Sequence, residues 1–193
     1  MQSDEGRDMG RLIYSMMTTL DGYTADADGD FGWGITEDME LHRAMEESAQ
    51  GVGTFLYGRR MYETMVFWET ADALPDEPPE MAEFATTWQA ADKIVYSTTL
   101  DTVSSARTRI ERTFDPDAVR ALTADGDATV DGPCLAATAL AAGLVDEIAP
   151  VVMPVVVGGG TRFLPEGLRL DLELVGERRF ASGALQLRYR VRH

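Results

Sequence analysis

Gly143-Leu144-Val145-Asp146-Glu147-Ile148-Ala149-Pro150-Val151-Val152-Met153-Pro154-Val155-Val156-Val157-Gly158-Gly159-Gly160 is the stretch on which the fold turns. It reads as a helix stop feeding a strand, Glu147 to Val157, that runs out in a glycine-lined turn; Pro154 marks a bend or an edge position. Upstream, Asp131-Gly132-Pro133 leads into the alanine-rich helix that Gly143 closes, and Ala128 to Val130 forms the brief strand before it. A strand, a glycine turn, a helix and another strand in succession point to an α/β sheet.

The same unit recurs toward the amino terminus. Leu12 to Thr18 is apolar and partly β-branched, a first strand ending at Thr19-Leu20-Asp21-Gly22. Ala25 to Gly34 is an acidic loop that lacks the twelve-residue calcium-binding pattern with its terminal glutamate. Thr36 is expected to cap a helix with Glu37 and Asp38 in its first turn and Met39, Leu41, Ala44, Met45 and Ala49 as apolar positions before Gly51. Val52 to Tyr57 is the next strand, and Gly58 lets the backbone turn sharply into a helix carrying Met61, Tyr62 and Met65. After Pro75, Pro78 and Pro79, the helical spacing of Met81, Phe84, Ala85 and Trp88 marks a core stripe. Lys93 to Tyr96 and Arg107 to Glu111 are strands, and Asp115-Pro116 opens a short helix that ends near Gly126. Leu170 to Phe180 and Ala184 to Val191 alternate around Ala181-Ser182-Gly183 as an antiparallel hairpin. The expected fold class is α/β in three layers, a mixed, mostly parallel sheet with helices on both faces and that hairpin at its end. It forms one domain over residues 11–193, after a polar leader, 1–10, expected to be disordered.

Composition removes several function classes. A net charge of -16, from 33 acidic residues against 17 Lys+Arg, repels nucleic acid and anionic membranes, so neither is an expected partner. No apolar run approaches the roughly 20 residues of a membrane span. The single Cys134 forms no internal disulfide and suits a reducing, cytoplasmic setting. His42 and His193 are too few and too far apart for a histidine metal site, so no metal is expected.

Ligands in open α/β sheets collect beyond the carboxyl ends of the strands, and those ends carry small or hydroxylated residues here. Thr18-Thr19 with Asp21, Gly58-Arg59-Arg60, Ser97-Thr98, and Asp131-Gly132-Pro133 are the candidates. Gly58 and Gly132 let backbone amides approach a pyrophosphate, and the helix starts after them favour negative charge. Arg59, Arg60, Ser97 and Thr98 are the groups for a ribose phosphate. Arg107, Arg109 and Arg112 form a second basic cluster. Neither the Gly-x-Gly-x-x-Gly dinucleotide fingerprint nor the phosphate-loop lysine motif is present. Phe31 and Trp33 are read two ways, as a stacking surface for a flat heterocycle or as pins that hold the acidic loop to the core. Phe67 and Trp68 form a further aromatic patch, for a substrate wall or a subunit contact.

The chain resembles the dihydrofolate reductase-like superfamily, in the branch of the pyrimidine reductase domain of bacterial riboflavin biosynthesis. The resemblance runs through Tyr14-Ser15-Met16-Met17-Thr18-Thr19-Leu20-Asp21-Gly22, Gly58-Arg59-Arg60-Met61-Tyr62-Glu63 and Lys93-Ile94-Val95-Tyr96-Ser97-Thr98-Thr99-Leu100. It continues over Gly132-Pro133-Cys134-Leu135, Ala142-Gly143-Leu144-Val145-Asp146-Glu147, and Pro154 to Gly160 with Phe163. It implies an enzyme that binds NADPH extended across the sheet. In that pose Gly58, Arg59 and Arg60 meet the adenosine phosphate end, and Ser97 and Thr98 the 2'-phosphate. Asp131, Gly132, Pro133 and Leu135 lie along the pyrophosphate, and Thr18, Thr19 and Asp21 approach the nicotinamide. Asp131-Gly132 stands where the family usually has Gly-Gly or Gly-Ser, a peptide that is cis in dihydrofolate reductase.

The expected activity is hydride transfer from NADPH to a small heterocyclic or carbonyl substrate of the pterin or pyrimidine type. Asp21, Glu37 and Asp38 are the candidate catalytic carboxylates, and a homodimer through the C-terminal strands is the expected assembly. A non-catalytic binding or regulatory protein that retains the fold is the alternative, with Asp131 as its motive.

Overall fold

The computed structural model describes residues 10–71 and 79–192, with Pro79 and Glu80 as backbone alone; Pro75, Pro78, His193 and the leader up to residue 9 lie outside the described residues. In chain order the elements are β1 (Leu12–Thr19), β2 (Tyr23–Ala25), α1 (Met39–Ala49), β3 (Val52–Gly58), α2 (Arg59–Met65), α3 (Pro79–Ala90), β4 (Asp92–Tyr96) and β5 (Thr108–Glu111). Then follow α4 (Pro116–Leu122), β6 (Asp127–Asp131), α5 (Pro133–Ala141), β7 (Glu147–Met153), β8 (Thr161–Arg162), β9 (Asp171–Arg179) and β10 (Leu185–Arg192). Eight strands form the main sheet in the order β5-β4-β3-β6-β1-β7-β10-β9. The first six run parallel, and β10 and β9 close the sheet as an antiparallel hairpin.

Alternation along the strands sorts the core into two layers. Leu12, Tyr14, Leu56, Ile94, Val130 and Ile148 point to one face, where α4 and α5 cover them with Val119, Leu135, Ala136 and Ala139. Phe55, Tyr57 and Val95 point to the other, beneath Tyr62 of α2 and Trp88 of α3. Next to them, Leu41 and Ala44 of α1 pack on Val151, Met153 and Phe180. These are the helices on both faces that the sequence pattern requires.

Two local expectations are corrected. Asp38, not Thr36, caps α1: its carboxylate accepts the amides of Glu40 at 3.1 Å and Leu41 at 3.2 Å, while the Thr36 hydroxyl accepts the Asp38 amide. Glu37 and Asp38 therefore precede the helix instead of forming its first turn. The strand expected to reach Val157 ends at Met153, because Pro154 brings no amide to the ladder and the chain turns to lie beside the β1–β2 connection.

The order of the strands locates the crevice. Strand β1 is followed by α1 on one face and its neighbour β6 by α5 on the other, so the chain leaves these two carboxyl ends in opposite directions. That divergence opens the sheet edge between them, the place where α/β folds receive ligands.

Candidate functional site

Across the carboxyl edge, Ser97 follows β4, Gly58 ends β3, Asp131 ends β6 and Thr18-Thr19 end β1. The sheet brings the four candidate segments side by side, with Gly58 opposite Tyr96 and Tyr57 opposite Asp131.

Gly132 is the pivot of this edge. Its φ of 98° is a backbone state that L side chains rarely adopt, and a β-carbon there would stand 3.3 Å from that of Met61. No cis peptide occurs among the described residues, and Gly132 makes the turn through its own torsions. Pro133 opens α5 at a position where a missing amide costs nothing. No side chain caps this helix, unlike α1 and α4, which are capped by Asp38 and Asp115. The amides of Cys134 and Leu135 in its first turn are thus open to an anion. The Leu135 side chain is turned into the core, 4.0 Å from where a β-carbon of Gly58 would stand.

Asp131 is half-buried on the same sheet face as Tyr57. Its carboxyl accepts a 2.7 Å hydrogen bond from Thr129. Desolvation pushes it up to about 7, against a smaller opposing effect of that bond. Tyr57 of β3 shares its face and Tyr14 of β1 lies on the opposite one; both are pushed up by burial and then by its charge. The Tyr14 hydroxyl donates to the Phe163 carbonyl at 2.8 Å, and that of Tyr57 accepts from the Trp88 indole at 2.9 Å.

At the β4 end, the Ser97 hydroxyl accepts the amides of Thr99 and Leu100, forming a tight turn with Thr98 exposed at its tip. Two arginines hold that turn. Arg59 donates to the Thr99 hydroxyl at 3.1 Å and pairs with Glu63 at 2.7 Å, while Arg112 donates to the carbonyls of Ser97 and Leu100 at 2.9 and 2.7 Å. Arg60 is exposed beside them. Of the second basic cluster only Arg112 reaches this turn; Arg107 pairs with Asp92 and Arg109 with Glu111. The role of Arg112 is carried by no local motif.

Of the three acidic candidates, Asp21 and Asp38 hold different segments and share no partner. Asp21 accepts the amides of Val157 at 3.3 Å and Gly158 at 2.7 Å, and the Thr19 hydroxyl, then these amides, hold its carboxyl below the usual range. Asp38 adds the amide of Ser182 at 2.9 Å to its capping bonds and is held low first by the Ser182 hydroxyl. Glu37 is exposed. Thr18 and Thr19 are buried in the β1–β2 turn, where Thr18 donates to the Tyr23 carbonyl and Thr19 accepts the Tyr23 amide.

The acidic loop spends its carboxylates on itself, with Asp26 accepting the amides of Asp28 and Asp30. No group of three or more metal-ligating side chains gathers among the described residues. Trp33 packs with Met17 against the core, whereas Phe31 is exposed. Trp68 lies edge-on against Phe84 in the α3 layer. No helix among the described residues is long and apolar enough to cross a membrane.

Comparison with known proteins agrees with this architecture. The family model of the RibD C-terminal domain matches residues 11–185. YyaP of Bacillus subtilis (strain 168), an uncharacterized protein, is 26% identical over 182 residues, which make up 93% of this chain and 94% of YyaP. A Shewanella sp. PV-4 structure described as that of a riboflavin biosynthesis protein superposes with a TM-score of 0.67 at 18% identity, over 95% of this chain and 99% of that one. Acinetobacter baumannii RibD superposes with a TM-score of 0.66 at 14% identity, and there the match covers 95% of this chain but 58% of the longer protein. A pyrimidine reductase-like protein of Corynebacterium diphtheriae gives 0.60 at 14% identity, over 95% and 92% of the two chains. The architecture is the dihydrofolate reductase-like fold of these structures.

Proposed function

The chain belongs to the family of the RibD C-terminal domain, and from that membership we propose that it is a reductase taking NADPH along the carboxyl edge of its sheet. The observation that carries this reading is the start of α5 at the switch point, which no side chain caps and where Gly132 adds no side chain of its own. The free amides of Cys134 and Leu135 suit a pyrophosphate. Arg59, Arg60 and Arg112, around the Ser97-Thr98 turn, supply local positive charge for a ribose phosphate on a strongly acidic protein.

NADPH, when bound, supplies the hydride. The residues of the chain hold its phosphates, keep the β1 end rigid through the Thr18, Thr19 and Asp21 bonds, and present a carboxyl at Asp131. Asp21 and Asp38 are held as carboxylates by amide donors, which suits them to fixing loops more than to giving up a proton at neutral pH. The substrate class is a small heterocycle or carbonyl of the pterin or pyrimidine type. Strand β9 is an open edge with exposed Leu172, Leu174 and Val175, the surface we assign to a homodimer. The acidic chain with its one free cysteine, Cys134, fits a cytoplasmic enzyme.

Titration with NADPH and separately with NADH, followed by quenching of Trp33, Trp68 and Trp88, tests the reading. Saturable binding with about tenfold or greater preference for NADPH is expected from the arginine-bracketed turn, and Arg59→Gln with Arg112→Gln removes that preference. Absence of binding to either nucleotide overturns it in favour of a binding protein of the same fold, the second reading, which an ionised Asp131 beside the pyrophosphate position favours.

A further inference from the structure

We propose that Asp131 couples the binding of an anionic dinucleotide at the β6–α5 turn to the uptake of one proton, so that its neutral carboxyl is the form that accompanies the bound phosphates. The inference rests on the NADPH reading above and adds to it the proton linkage of that site.

Its basis is the company Asp131 keeps. The residue directly precedes Gly132 and the uncapped amides of α5, at the mouth of the turn where the phosphates would lie. On its own sheet face stand Tyr57 from β3 and Thr129 on β6 itself, while Tyr14 of β1 lies on the opposite face, where it feels the charge of Asp131 and of Cys134 on α5. From α2 comes Met61, against Gly132, while Arg59 at the start of that helix is turned to Glu63 and Thr99. Both tyrosines are pushed up by burial and stay neutral through the physiological range, and no cation among the described residues pairs with the carboxylate.

A pyrophosphate brought to this turn adds negative charge beside a carboxyl that already resists ionisation. Like charges at close range disfavour the ionised form, so the bound anion holds the proton on Asp131. By reciprocity, the ionised carboxyl weakens the anion's binding by the same factor. Glycine at this position would remove the linkage, because nothing there would titrate.

The test compares the wild-type protein with Asp131→Asn and Asp131→Gly, titrated with NADPH from about pH 6.5 to about pH 9. The wild-type Kd is expected to rise by at least tenfold over that range, approaching tenfold per pH unit above about 7, while both variants hold a nearly constant Kd. Calorimetry at about pH 8 in buffers of different ionisation enthalpy gives the second readout, with about one proton taken up on binding by the wild type and none by the variants. Asp131→Gly keeps the test decisive if Asp131→Asn fails to fold. Parallel pH profiles for the three proteins, or binding without proton uptake, overturn the inference and leave the NADPH reading standing. Failure of all three to bind NADPH at any pH overturns both.

Discussion

The two edges of the sheet treat charge in opposite ways. At the amino-terminal edge nearly every charged group described here is matched. Buried Glu147 receives Arg188 at 2.8 Å and Arg11 at 2.9 Å, Arg11 also bonds Asp127, and Arg107 pairs with Asp92. Lys93, fully buried at the start of β4 and lowered by desolvation, donates to the Trp88 carbonyl at 3.0 Å and so closes the end of α3. At the carboxyl-terminal edge Gly58 and Gly132 end their strands without side chains, the starts of α2 and α5 carry no side-chain cap, and Asp131 has a hydroxyl for company instead of a cation. One edge is built for stability. The other leaves helix starts without side-chain caps and a carboxyl without a cation, the features on which the proposed cofactor site rests.

The largest effect that separates the edges is expected from Glu147→Ala. Removing this carboxylate leaves Arg11 and Arg188 without their shared partner, and a loss of about 3 kcal/mol in urea unfolding is expected. NADPH affinity per folded molecule should stay unchanged; a parallel loss of affinity would break the division between the edges. Gly132→Ala should do the reverse. It forces a β-carbon into a positive-φ turn against Met61, and roughly 30-fold to 100-fold weaker NADPH binding is expected with a stability cost of about 1–2 kcal/mol.

Asp131→Asn sharpens the comparison through pH. The folded pKa of about 7 lies above the ordinary 3.8, so the stability this carboxyl contributes is complete below about 4 and lost as the pH rises through about 7. Chemical unfolding at about pH 8 should therefore find the variant more stable than the wild type by ~2 kcal/mol, and at about pH 4 the advantage should vanish. The smallest effect belongs to Asp21 and Asp38, whose pKa values are depressed from 3.8. Their contribution is present above the unfolded value and lost as pH falls through the folded one. Asp21→Asn and Asp38→Asn should lower Tm slightly near neutrality and converge on the wild type under acid.

Much of the fold could be read from local chemistry. Periodicity gave the strands of the main sheet but not the short pair β2 and β8, and glycine and proline placed the turns at Gly58, Gly132 and Gly143 within a residue or two. The strand order could not be read, because pairing of β6 between β3 and β1 is decided by packing among distant segments. The same limit explains the cap of α1. Thr36 and Asp38 are both capping residues, and the choice follows from the Ser182 amide, which comes from 144 residues away. The loop-fixing bonds of Asp21 are not legible locally, because its partners, Val157 and Gly158, lie 136 and 137 residues further on. The candidate edge itself was legible in Gly58, Ser97 and Gly132. The bracketing of Ser97 by Arg59 and Arg112, and the burial that raises Asp131, exist only once β3, β4, β5 and β6 are assembled.

The central claim, that the carboxyl-terminal edge is the cofactor site, is tested most directly by amide hydrogen exchange with and without saturating NADPH. Protection is expected at the Ser97–Leu100 turn and over the first turn of α5, with the β3 start at Val52 and Gly53 unchanged. Protection confined to the amino-terminal edge, or none at either edge, would contradict the account.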